Sequence, residues 1–358
     1  MSKLLYVTPR LAPSPRGGRA QLSQLHWQCL QSLLGSNAAL HELDPVSPSG
    51  PNSLTRALAG RIDGATSAAE QAIVERLSRE RIGRVFLNGS NLGRLARAVK
   101  RTNPDVEVLT FFHNVEARFF LGAFRQQPSL RALGVMVANA VAERMAVRFS
   151  DRLIALNRRD SEGIGRLYGR GASDLLPMAL TETEEHSAER SKDGDYLLFV
   201  GGGFYANRDG ILWFAREVAP RLSITTCVVG RGLEALRTKI ERIPNVRLIG
   251  EVDALAPWYQ GARAVIAPIF DGSGMKTKVA EALMYGKRVI GTSEAFVGYE
   301  EVAAEIGWCC DDANSFIAAI NALGGLEIPA FDARLRLLFE QRYSYEAARN
   351  RLAAILAR

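Results

Sequence analysis

Short, nearly unbroken apolar runs recur along the chain and alternate with longer stretches whose apolar residues fall three and four apart. The runs Lys3–Thr8, Arg84–Asn88, Val106–Phe112 and Arg152–Asn157 predict strands buried on both faces. Stretches from about Arg19 to Leu34 and over 67–81, 91–101 and 129–149 predict helices between them. Such alternation is the pattern of a parallel, doubly wound α/β sheet. It breaks at 181–195, where a polar, charged segment without periodicity predicts a linker, and restarts at Tyr196. Ala264–Pro268 and Arg288–Thr292 read as later strands, and Tyr345–Arg358 carries Ala and Leu at helical spacing. The pattern predicts two α/β domains, 1–180 and 196–344.

Composition narrows the classes. With 358 residues and 47% hydrophobic content, the chain has material for two cores. No apolar run reaches the roughly 18–20 residues that span a bilayer, and Leu4–Val7 is too short for a signal-peptide core, so a cytoplasmic protein is expected. Cys29, Cys227, Cys309 and Cys310 lack metal-ligand spacing, which predicts reduced thiols and no structural zinc. The net charge of +7 is uneven: residues 1–180 hold 24 Lys and Arg against 14 Asp and Glu, and the remainder 21 against 24. A negatively charged partner would meet the first half, although scattered arginines are also what solvated helix faces carry. No arginine-rich tail or aromatic–basic interleaving points to nucleic acid.

Candidate chemistry concentrates in Asp271–Gly286, which follows one predicted strand and precedes the next. Ligands of open α/β sheets collect at the carboxyl ends of strands. Gly272 and Gly274 let backbone N–H groups approach an anion, and a helix starting near Met275 would point its positive end there. Gly274, Lys278 and Glu281 fall at i, i+4 and i+7, which predicts one stripe, with Lys278 and Glu281 roughly 4.5 Å apart along the axis. That spacing suits an elongated ligand with phosphate at Lys278 and hydroxyls at Glu281. The plain alternative is a solvated lysine paired with Glu281. Gly201-Gly202-Gly203 with Ala206 satisfies the dinucleotide fingerprint, but Val229-Gly230 ends the following strand without the acidic ribose ligand, which argues against nicotinamide.

The glycine-rich loop, basic residue, Glu281-Ala282 pair, Gly286 and following strand, taken with Leu197–Phe214, Cys227–Gly232 and Val246–Val252 backed by Trp258-Tyr259, resemble the nucleotide-sugar site of GT-B glycosyltransferases, especially family 4. The resemblance covers about 195–300 and is weaker over the first half. It implies two Rossmann-like domains facing across a cleft, an acceptor-binding domain over 1–180 and a donor-binding domain over 196–344, with helix 345–358 crossing back to the first. It further implies a nucleoside diphosphate sugar as substrate, a saccharide or lipid-linked acceptor, retention of configuration, and neither metal nor cofactor.

By the same resemblance Lys278 serves the diphosphate, Glu281 the ribose and His113 the donor sugar. Gly203, Asn207, Arg208, Arg231, Val252, Ser273, Gly274 and Met275 surround the donor, and Gly17, Gly18, Asn114 and Glu116 lie on the acceptor side. The chain departs from the family at Ser273, where many members carry a second glutamate, and at Phe204 and Asp209, where many carry Arg and Lys; Arg208 and Arg231 are the nearest compensating cations. Arg131, Arg144 and Arg148 around the apolar Leu133–Val141 predict contact with an anionic inner-membrane face. A nucleotide-sugar epimerase and a non-catalytic nucleotide-binding subunit are the rival readings.

Overall fold

A computed structural model describes residues 2–13, 17–45, 53–182, 194–325 and 329–358. Most of the predicted linker, residues 183–193, lies outside the described residues, as does part of the loop before Gly17. The chain divides into two compact units, Met1–Pro177 with Ala348–Arg358, and Met178–Ala347.

The first unit holds strands β1 (Lys3–Pro9), β2 (Ala38–Leu43), β3 (Ile82–Asn88), β4 (Glu107–Phe112), β5 (Arg152–Ala155) and β6 (Asp174–Leu175). They form one parallel sheet in the order β2-β1-β3-β4-β5-β6. Helices α1 (Gly18–Leu34), α2 (Ser53–Leu58), α3 (Ser67–Arg79), α4 (Gly93–Thr102), α5 (Glu116–Gln126), α6 (Leu130–Phe149) and α7 (Arg158–Tyr168) connect them. Helices on both faces leave the central strands no solvent, so Leu4–Val7 are all buried rather than alternating. Leu5, Val7, Val85, Leu87 and Val108 pack on Ile73, Leu77, Leu95 and Val99, while Phe112, Val115, Leu153 and Ile164 form a second cluster with Ala146. β2 and α5 are elements the apolar pattern does not announce. β5 stops at Ala155 because Asn157 caps α7, its side chain accepting from the Asp160 N–H at 2.8 Å.

The second unit holds β7 (Tyr196–Val200), β8 (Thr225–Val229), β9 (Val246–Gly250), β10 (Ala262–Ala267), β11 (Val289–Gly291) and β12 (Gly307–Cys309). These are parallel in the order β12-β11-β10-β7-β8-β9. Its helices are α8 (Tyr205–Glu217), α9 (Arg237–Ile240), α10 (Ala256–Gly261), α11 (Thr277–Met284), α12 (Ala303–Ile306), α13 (Ala313–Gly324) and α14 (Ala333–Arg342). α15 (Tyr345–Leu356) ends in the first unit, where Arg84 and Arg152 donate to the Leu356 and Ile355 carbonyls left open at its carboxyl end. Strand order reverses between β7 and β10 here and between β1 and β3 in the first unit, and such switch points open crevices at the strands' carboxyl ends. Among the described residues no helix is long and apolar enough to cross a membrane.

Candidate functional site

The β7–β10 switch point is built from two loops. After β7, Gly201–Gly203 runs against the loop after β8 backbone to backbone: the Gly203 N–H donates to the Arg231 carbonyl at 2.9 Å. A Cβ on Gly203 would meet the Gly232 carbonyl oxygen at 2.4 Å, and one on Gly230 the Gly201 oxygen at 2.0 Å. Only glycine allows this approach, which accounts for the fingerprint-like spacing without a dinucleotide. After β10, the loop passes Asp271, whose carboxylate accepts from the Gly272 N–H at 2.7 Å and the Tyr205 hydroxyl at 2.9 Å.

The helix that follows starts at Thr277, two residues later than expected, because Gly274 turns left-handed at φ 67° and Lys276 is extended. Gly274 therefore lies in the loop and not on a helical stripe with Lys278 and Glu281. Met275 is buried, its sulfur accepting from the Met178 N–H at 3.3 Å, so only its backbone can serve a ligand. Lys276 braces the loop: its ammonium pairs with Glu294 at 2.9 Å and donates to the Gly274 carbonyl at 3.3 Å.

Lys278 is different. Only 7% exposed, it donates to Asn207 Oδ1 at 2.8 Å and sits 4.2 Å from the centre of the Phe199 ring, with no carboxylate partner among the described residues. Asn207 in turn donates from Nδ2 to the Gly202 carbonyl at 3.1 Å, tying the lysine to the glycine loop. Burial lowers the Lys278 pKa to about 7, against the attraction of Glu281 and with repulsion from Lys276. Glu281 does not pair with Lys278 directly. Its carboxylate accepts from the Tyr259 hydroxyl at 2.6 Å, and Tyr259 stacks on Tyr285 at 4.9 Å. Burial raises the Glu281 pKa, opposed by Tyr259 and Lys278. The i, i+3 pair of the sequence is thus two separately held groups, a cation and an acceptor, side by side at a switch point. Arg208 is half-buried and Arg231 exposed, neither in a salt bridge among the described residues. Ser273 and Val252 are half-buried at the same edge, and Gly203 and Phe204 are exposed.

In the first unit, His113 follows β4 and is buried, its Nε2 3.1 Å from Asn88 Oδ1 at the end of β3. Burial and the nearby Arg19 and His26 hold its pKa well below the usual value, so the ring is neutral. Gly17, at φ 87°, opens α1 with no side-chain cap, and Gly18 is its first residue. Glu116 opens α5 and is buried, and desolvation, opposed by Arg19, raises its carboxyl to about 7. Asn114, half-buried, bonds to it. Sequence reading passed over Glu143, fully buried on α6. It accepts from the Glu116 and Ala117 N–H groups at 2.7 and 3.0 Å, from Ser90 at 3.0 Å and from Tyr168 at 2.8 Å. Its only signal is position, one turn from Asn139 on a buried face of small residues. Asn88, a polar end to an apolar run, was readable but unread. Among the described residues no group of three or more His, Cys, Asp or Glu could hold a metal ion.

Residues 194–324 match the family described as "Glycosyl transferases group 1". No curated protein sequence matches the chain. Among solved structures, sucrose-phosphate synthase of Thermosynechococcus elongatus superposes with a TM-score of 0.70 at 15% identity, over 100% of this chain and 98% of that one. Anabaena HepE in complex with UDP gives 0.68 at 14% identity over 99% of each chain. A lipopolysaccharide outer core galactosyltransferase, WaaB, gives 0.65 at 14% identity over 99% of each. At these identities the likeness is one of fold, and that fold is GT-B.

Proposed function

We propose that this chain, whose residues 194–324 form a glycosyl transferases group 1 domain on a GT-B fold, transfers a sugar from a nucleoside diphosphate sugar to an acceptor in the assembly of cell-surface polysaccharide or glycolipid. The observation that carries the reading is Lys278. A buried ammonium held by an amide oxygen and an aromatic ring, with no salt bridge among the described residues, is costly to fold around, and it becomes favourable once a dianion enters beside it. Glu281, held by Tyr259, takes the ribose hydroxyls, and the exposed glycine loop at Gly202-Gly203, tied to Lys278 through Asn207, takes the phosphates. HepE is described in complex with UDP and with UDP-glucose, which favours a uridine nucleotide here.

In this reading the bond between the anomeric carbon and the diphosphate breaks as the acceptor oxygen attacks from the same face, and its proton passes to the leaving diphosphate. Lys278 and the start of α11 stabilise the growing charge, so transfer with retention calls for no protein base.

A second surface supports a peripheral membrane setting on the cytoplasmic side. Leu133, Val137 and Val141, spaced by four on α6, are 39, 37 and 36% exposed, and Leu130 before them is 88% exposed. Arg144 and Arg148 extend the same stripe and Arg131 flanks it, all exposed. An apolar stripe continued by cations suits an anionic bilayer carrying a lipid-linked acceptor.

Thermal-shift measurement against UDP, GDP, ADP and their sugars tests the donor reading, since a ligand at 100 times its Kd adds about 2.7 kcal/mol. One nucleotide series should raise the unfolding midpoint; no shift with any would overturn the assignment.

A further inference from the structure

Within the second unit, Lys278 is held by a side chain whose orientation follows from chemistry. Asn207, on the first turn of α8, donates from Nδ2 to the Gly202 carbonyl at 3.1 Å, and a carbonyl only accepts, so the amide oxygen must face the other way. There it accepts from Lys278 Nζ at 2.8 Å. The amide fits its slot closely: a Cβ on Gly201 would stand 2.9 Å from Asn207 Cγ and 3.0 Å from both its Oδ1 and the Phe199 ring. Phe199 is the ammonium's other neighbour, with its ring centre 4.2 Å from Nζ. Gly201 therefore leaves room for both groups that hold Lys278. The glycine loop is braced from the opposite side as well, because the Gly203 N–H donates to the Arg231 carbonyl at 2.9 Å, so one peptide is fixed at its oxygen by Asn207 and at its nitrogen by Arg231. Two charged groups act on the amine: Glu281 attracts it while engaged by Tyr259, and Lys276 repels it while paired with Glu294.

We infer that Asn207 is a positioning residue: slotted between Gly201 and Lys278, it holds the Lys278 ammonium against the glycine loop and so sets in place, before any ligand arrives, the charge that a nucleoside diphosphate meets. The inference rests on the proposed role of Lys278 at the diphosphate. Turning the amide over would set its N–H groups against the ammonium and its oxygen against the Gly202 carbonyl, and that double mispairing fixes the arrangement. An aspartate at this position would favour the charged lysine and oppose an incoming anion, whereas an alkyl side chain would take the oxygen acceptor away. The two replacements should therefore move the lysine's titration in opposite directions.

The test follows the side-chain carbon shifts of Lys278 against pH in the full-length, ligand-free protein labelled with 13C-lysine, the signal being assigned by its loss in Lys278→Met. Calorimetric titration of the same samples at pH 7 with UDP, GDP and ADP reads affinity. Asn207→Asp should raise the Lys278 titration by about one pH unit or more, and Asn207→Leu should lower it by a similar amount. Both should weaken the nucleotide that wild type binds by about tenfold or more, the first because a fixed carboxylate competes with the diphosphate, the second because the amine is neutral and unheld. Gly201→Ala alters no polar group but crowds Asn207 and Phe199 together, and it should lower the titration as Asn207→Leu does. If Asn207→Leu does not fold, Asn207→Asp and Gly201→Ala decide. A Lys278 titration that Asn207→Asp leaves unchanged, or wild-type affinity in folded Asn207→Leu, overturns the inference. Failure of all three nucleotides to bind wild type would instead strike the donor reading, and the ligand-free titrations would still decide whether Asn207 positions the lysine.

Discussion

Replacing Lys278 with methionine should stabilise the ligand-free protein while removing its affinity for nucleoside diphosphates. The variant keeps a buried stem of similar length and loses only the charged end. Folding moves this amine from 10.5 to about 7, and about 3.5 pH units at 1.36 kcal/mol each correspond to about 5 kcal/mol by which the folded state disfavours the ammonium. Relaxation and water entry reduce that cost, and Asn207, being half-buried, can take water in place of the amine, so a gain of about 2 kcal/mol is expected at pH 6. For a unit of this size that is a rise of about 4–8 °C in unfolding midpoint. Because the folded pKa lies below the unfolded one, the unfolded chain binds more protons between about 7 and 10.5, and wild-type stability rises with pH across that window. The methionine variant lacks this rise, so its advantage should shrink from pH 6 to pH 9. Thermal unfolding followed by tryptophan fluorescence reads mainly the right unit, since three of the four tryptophans, Trp213, Trp258 and Trp308, lie there and Trp27 alone lies in the first. A variant less stable than wild type at pH 6, or an advantage that does not change with pH, refutes the reasoning.

Glu281→Ala should weaken nucleotide binding by about 1.5–3 kcal/mol through loss of a charged acceptor for the ribose, as read by calorimetric titration; unchanged affinity in a folded variant removes Glu281 from the site. Glu116, raised from 4.5 to about 7, stabilises the fold below pH 4.5 and loses that contribution as pH rises through 7. Glu116→Gln should abolish this downward slope in unfolding free energy between pH 4.5 and 7, and a slope equal to wild type would show that the carboxyl titrates normally. Flotation with anionic liposomes should carry the protein at low salt and release it at high salt, with Arg131, Arg144 and Arg148 reversed to Glu abolishing binding. Absence of flotation at low salt would remove the membrane from the account.

The fold was legible where burial is two-sided. β1, β3 and β4 lie inside a parallel sheet with helices on both faces, so their sequences are continuous apolar runs. β2 escaped because it is an edge strand whose His41 is only partly covered and whose Glu42 is exposed, which breaks the run. α5 escaped because its amino end is capped by Glu143, 27 residues onward, and no local signal reports such a cap. At the site, the spacing of Lys278 and Glu281 was readable and their partners were not: Asn207 stands 71 positions from one and Tyr259 22 from the other. The expected stripe through Gly274 failed for a local reason, since its left-handed backbone delays the helix to Thr277.

Sugar transfer itself is tested most directly by incubating the purified chain with a nucleoside diphosphate sugar labelled in the sugar, chosen by the thermal-shift screen, together with native membranes as the source of acceptor. The account predicts label in a lipid-extractable or polymeric product formed by wild type and lost in Lys278→Met. Label found only in an epimerised donor or in free sugar, or undiminished transfer by Lys278→Met, would contradict it.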